Sequence, residues 1–94
     1  MADRYDADTE DGVHVADPSE DALLALITGL NTTDNTFVTV VPAEHDSWYA
    51  SVSLRADGGY EVERSDTGQA RELGTETDPR KIARELTVWL TSRN

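Results

Sequence analysis

From position 17 onward the apolar residues run at a helical period, then at a period of two, then at a helical period again. Leu23, Leu26, Ile27 and Leu30 fall at i, i+3, i+4 and i+7, the stripe of an amphipathic helix. Asp17 suits the N-cap and Pro18 the first helical position, so this helix is expected to open at Pro18. Glu20 and Asp21 then sit in the first turn, where the helix dipole favours negative charge. Gly29 and the polar run Asn31 to Asn35 end it.

The period then changes to two. Phe37 to Val41 is β-branched and aromatic, and a strand is expected over Thr36 to Val41, stopped by Pro42. Trp48 to Arg55 alternates without a break: Trp48, Ala50, Val52 and Leu54 share one face, and Tyr49, Ser51, Ser53 and Arg55 share the other. Ala56-Asp57-Gly58-Gly59 is a turn signal, and Tyr60 to Ser65 is the return strand. A two-residue loop pairs Leu54 with Glu61 and puts carboxylates on the buried face. A three-residue loop, Ala56 to Gly58, pairs Leu54 with Tyr60 and Val52 with Val62. Burial selects the second register, with Gly58 in the left-handed position of a bulged turn. Asp66-Thr67-Gly68 marks another turn, and Gln69 to Thr75 reads as a fourth strand, weakly apolar as an edge strand is.

The last element is a helix from Pro79 to about Ser92, capped by Asp78, with Ile82, Leu86, Trp89 and Leu90 as its stripe. Arg80, Lys81 and Arg84 cluster early in it, and Glu76 is a nearby acid for them to pair with. The order α–β–β–β–β–α implies an α+β fold: an antiparallel meander of about four strands with an N-terminal and a C-terminal helix on one face. Trp48 and Trp89 both fall on apolar faces and are expected in the core. The other face meets water.

Charge changes the picture at the N-terminus. The chain has 94 residues and a net charge of −11, and residues 1–21 carry eight carboxylates against Arg4 alone. Residues 1–16 are therefore expected to form a mobile acidic tail, with 17–94 as a single domain. The alternation of Val13, His14 and Val15 allows a short edge strand within that tail. A salt-adapted proteome spreads its acid over the whole surface, whereas here it is concentrated at one end. Clustered carboxylates disfavour nucleic acid and favour a basic protein partner. No cysteine is present, which excludes disulfides and cysteine-based zinc sites. No apolar run spans a bilayer, and the acidic start is unlike a secretory signal, so a cytoplasmic protein is expected.

Candidate chemistry is sparse. His45 between Glu44 and Asp46 offers one imidazole and two carboxylates in a loop, short of a metal site. No Gly-x-Ser-x-Gly elbow occurs, and Glu61 and Glu63 at period two read as solvated strand carboxylates. No catalytic residue, metal or cofactor is expected. Tyr49 alternates outward among serines beside the acidic loop, as interface aromatics do. The candidate partner-binding residues are Tyr49, Ser51, Ser53, Arg55, Glu61 and Glu63 on the open face, with Glu44 and Asp46 in the adjacent loop.

Gly58-Gly59-Tyr60-Glu61-Val62-Glu63-Arg64, followed by a last helix bearing Ile82, Leu86, Trp89 and Leu90, resembles the bacterial polymorphic-toxin immunity proteins. Within them it is similar to an α+β family often found beside deaminase-type toxins. The similarity covers residues 36–92 and leaves out the acidic segment. It implies neutralisation of a cognate toxin by tight binding, with Glu61, Glu63 and Trp89 at the matching positions. A small acidic chaperone-like or general interaction module is the alternative.

Overall fold

The computed structural model describes residues 5–42, 48–66 and 72–91. Six strands form one antiparallel sheet in the order β2-β1-β3-β4-β5-β6. They are β1 (Tyr5–Thr9), β2 (His14–Ala16), β3 (Phe37–Pro42), β4 (Trp48–Leu54), β5 (Tyr60–Asp66) and β6 (Glu72–Glu76). Helix α1 (Glu20–Thr28) lies between β2 and β3 in the chain, and α2 (Pro79–Thr91) ends it. The α+β class is as expected, but four strands understate the sheet.

The two extra strands come from the segment expected to be a mobile tail. Tyr5, Ala7 and Thr9 alternate with Asp6 and Asp8, and the first set is buried. Strand β1 pairs with β3 from Tyr5 opposite Pro42 to Thr9 opposite Val38, and with β2 on its other side. The short strand allowed by the Val13–Val15 alternation is thus realised as β2, the edge of the sheet. Burial of Tyr5 and Ala7 against the core supplies the apolar area that average composition hides.

The β1–β2 and β4–β5 hairpins use one device. Gly58 N–H donates to Arg55 O (3.1 Å) and Arg55 N–H to Gly59 O (2.7 Å). Gly12 N–H donates to Thr9 O (3.1 Å) and Thr9 N–H to Val13 O (2.9 Å) in the same way. Gly58 (φ 90°) and Gly12 (φ 97°) hold the left-handed position that closes each three-residue loop. The β4–β5 register is the one burial demands: Leu54 faces Tyr60 and Val52 faces Val62.

Helix α1 starts later than expected. Asp17 N–H still bonds to Tyr5 O (2.8 Å), and Asp17 (φ 51°) turns the chain off the sheet, so it cannot cap. Ser19 caps instead, its Oγ accepting from Ala22 N–H at 3.1 Å. Beyond the helix, Asn31 Oδ1 gathers the N–H groups of Thr33 (2.9 Å), Asp34 (3.0 Å) and Asn35 (3.3 Å), bending the chain back toward β3. Helix α2 opens as expected: Asp78 Oδ1 accepts from Arg80 N–H at 3.0 Å.

Both helices pack on one sheet face. Leu23 and Ile27 from α1, Leu30 just past it, and Ile82, Ala83, Leu86 and Leu90 from α2 bury against Tyr5, Ala7, Val38, Val40, Trp48, Ala50 and Val52. Trp48 is the aromatic centre, edge-on to Trp89 (5.5 Å between ring centroids) and to Tyr5 (6.4 Å). The expected ion pair forms, with Lys81 Nζ 3.3 Å from Glu76 Oε2. Among the described residues, no helix is long and apolar enough to cross a membrane.

Candidate functional site

The face away from the helices is set by strand parity. Pairing places Asp8 beside His14 and Thr39, Thr39 beside Ser51, Ser51 beside Glu63, and Glu63 beside Leu73. The next row runs Phe37, Ser53, Glu61, Thr75. Asp6, Val41, Tyr49 and Ser65 share the same parity. The described strand positions of this face thus hold Asp6, Asp8, Glu61 and Glu63 and neither Lys nor Arg. Phe37 and Leu73 stand on it as exposed apolar side chains, 38% and 59% accessible.

Local contacts fix several of these groups. Tyr49 Oη donates to Glu63 Oε2 at 2.5 Å, a diagonal contact across β4 and β5. That bond holds the ring over the sheet and aims one carboxylate. His14 Nδ1 lies 2.6 Å from Asp8 Oδ1 across β1 and β2. At the margin, Glu10 Oε1 accepts from Thr36 N–H (2.8 Å) and Thr36 Oγ1 (2.7 Å). Those two bonds hold the Glu10 carboxyl below its ordinary range. Asp57 is likewise held low, first by the Gly59 N–H and then by Arg55. On the helix side, burial and then the Asp17 charge push the Tyr5 phenol up.

The sequence-expected site residues are partly gathered here. Tyr49, Ser51, Ser53, Glu61 and Glu63 lie together on the open face. Arg55 has the same parity but lies just past β4, in the turn, with its Nε 3.4 Å from Asp57 Oδ2. It is a turn residue rather than part of the strand surface. Glu44, His45 and Asp46 lie outside the described residues, as do 67–68 of the expected turn and 69–71 at the start of the expected fourth strand. Sequence reasoning missed Asp6, Asp8, His14, Phe37, Thr39 and Leu73 as members of this face. The signal for the first two was present, since Tyr5, Ala7 and Thr9 alternate with Asp6 and Asp8 at period two.

Among the described residues, no group of three His, Asp or Glu side chains converges as a metal site would require. What the arrangement offers chemically is negative charge beside apolar and aromatic side chains, on a hydrogen-bonded sheet. Comparisons with protein-family models, with curated proteins and with solved structures find no match.

Proposed function

We propose that this protein acts by binding rather than by catalysis, docking a basic protein partner on the open face of its sheet. The resemblance to immunity proteins makes that partner a bacterial toxin, which docking neutralises. One observation carries the reading: the described strand positions of the face hold Asp6, Asp8, Glu61 and Glu63 with no Lys or Arg, beside exposed Phe37 and Leu73. Charge of one sign steers a basic partner to the face, and the apolar and aromatic groups give area to bury once it arrives. Because the carboxylates stand on paired strands, little ordering entropy opposes docking.

The acid of residues 1–21 belongs to this reading as well. Asp6 and Asp8 stand on the same face as Glu61 and Glu63, so the negative potential spans the sheet.

The test is the rate at which the purified partner, recovered by affinity capture from the native host, associates with wild type and with Glu61→Lys/Glu63→Lys. The wild-type rate should fall steeply with added salt, and the double variant should associate at least about tenfold more slowly at low salt. Glu61→Lys alone leaves the Tyr49 hydrogen bond in place and should give an intermediate rate. Urea melts check that all variants stay folded. A wild-type rate indifferent to salt, or a double variant that captures the partner equally fast, would overturn the proposal.

A further inference from the structure

We propose a second docking site, on the β6 edge and the groove between β6 and α2. It takes an extended segment of a partner protein with basic, apolar and basic side chains at alternate positions.

The edge comes first. Arg55 and Gly59 form a hydrogen-bonded pair, with Arg55 N–H donating to Gly59 O at 2.7 Å. Antiparallel strands alternate such pairs, so Glu61 and Glu63 bond toward β4 while Tyr60, Val62 and Arg64 bond toward β6. Their partners Glu76, Gly74 and Glu72 therefore bond inward. Leu73 and Thr75 are left with their N–H and C=O groups directed outward. Among the described residues, no strand lies beyond β6. Such an edge is a template for an added strand unless it is blocked.

The groove lies on the helix side of the same strand. Val62, Ile82 and Leu86 line its apolar part, and Glu72, Glu76 and Glu85 stand around it in a space of about 420 Å³. That volume is within the range of pockets that take sizeable ligands. Gly74 is what leaves the groove open toward the edge: a Cβ built there meets nothing within 4 Å. A strand added to β6 sets one residue opposite Gly74, and its side chain reaches over the glycine into the groove. The residues two before and two after it fall opposite Glu72 and Glu76 on the same face.

Charge selects the occupant. Arg64 Nη2 lies 3.1 Å from Glu72 Oε2, and Lys81 pairs with Glu76. Glu85 adds a third carboxylate to two cations, on a chain of net charge −11. The local balance and the whole-molecule field both favour Lys or Arg at the flanking positions. A second copy of this chain is disfavoured. Antiparallel pairing of two β6 strands about Gly74 sets Glu72 against Glu76 of the copy at both ends, and like charges directly opposite destabilise.

The site shares strand β6 with the open face but uses its edge and its helix side, and its test needs no natural partner. The probe is a fluorescein-labelled peptide Ser-Lys-Thr-Trp-Thr-Lys-Ser, whose palindromic pattern reads the same in either strand direction. Anisotropy with the full chain should show saturable binding below about 1 mM. Gly74→Val fills the mouth of the groove without leaving β geometry. It should weaken binding at least about tenfold while the melting temperature stays level or rises. Replacing both peptide lysines by Glu, N-methylating both threonines, or moving Trp by one position should each cost a similar factor. Asp34→Asn, in the exposed loop after α1, should leave peptide affinity within about twofold. No binding at about 1 mM overturns the proposal, as does binding that survives Gly74→Val or N-methylation. A β6-mediated dimer in light scattering overturns it as well. So does N-acetyltryptophanamide binding as tightly as the peptide, which would mark a small-molecule pocket instead.

Discussion

Deleting residues 1–16 should unfold this protein, although nothing in the composition of that segment suggests it matters to the core. The deletion removes β1 and β2 together. Tyr5, 7% exposed and edge-on to Trp48, is the largest loss. Truncating a buried aromatic side chain costs about 3–5 kcal/mol. Ala7, fully buried opposite Val40, adds about 1 kcal/mol for its methyl group. The deletion also strips the β1 ladder from β3 and turns β3 into an edge, with Val38 and Val40 newly open to water on that side. A domain of 94 residues has roughly 5–14 kcal/mol of stability in all. The two side chains alone, about 4–6 kcal/mol, take all of the low end of that range and a third or so of the high end, and the lost ladder adds to this. Trp48 and Trp89 report on the core, so urea titration followed by tryptophan fluorescence is the assay. With a slope of about 1–3 kcal/mol per molar urea, the truncated chain should show no native baseline or a midpoint lower by about 1.3 M or more. A cooperative transition within about 0.5 M of the full-length midpoint would refute the assignment of β1 to the core.

Gly58→Ala puts a Cβ on a left-handed residue that closes the β4–β5 hairpin, and should lower stability by about 1–2 kcal/mol in a urea melt. Gly12→Ala should do the same through the equivalent turn, an effect absent if residues 1–16 were unstructured. Acid should destabilise the fold through Glu10, Asp57 and Glu76, whose pKa values are lowered in the folded chain. Their unfolded forms protonate first, so this stabilisation is complete above the ordinary carboxylate range and disappears as the pH falls through it. Melts of Glu10→Gln against wild type should converge at low pH and separate toward neutrality. A constant gap would remove the Thr36 hydrogen bonds as the cause. Tyr5 works at the other limit: its raised pKa means the unfolded chain ionises first, so stability should decline as the pH rises above about 10, and less so in Tyr5→Phe.

Much of the fold was legible because the apolar pattern is consistent from Leu23 onward. The β4–β5 register followed from burial alone, since a one-residue slip puts Glu61 and Glu63 into the core. Helix α2 followed from Asp78 and its stripe. The N-terminal hairpin was misread because charge density outweighed periodicity. Yet Glu10-Asp11-Gly12 closes its loop as Ala56-Asp57-Gly58 does, and Tyr5, Ala7 and Thr9 alternate with Asp6 and Asp8. The Asp17 cap failed for a related reason. Its N–H is held by Tyr5, a contact with no trace in the local sequence.

The chain by itself determined which residues of β4 and β5 face inward, where the hairpin between them turns, and which faces of α1 and α2 are apolar. Those properties depend on side-chain period and turn chemistry, which are local. Only the tertiary structure decided that β1 lies between β2 and β3, and so that Asp6 and Asp8 join Glu61 and Glu63 on one surface. Strand order depends on which edges meet across long stretches of chain. That is settled by the burial of Tyr5 and Ala7 against a core that exists only once β3, β4 and the helices have assembled.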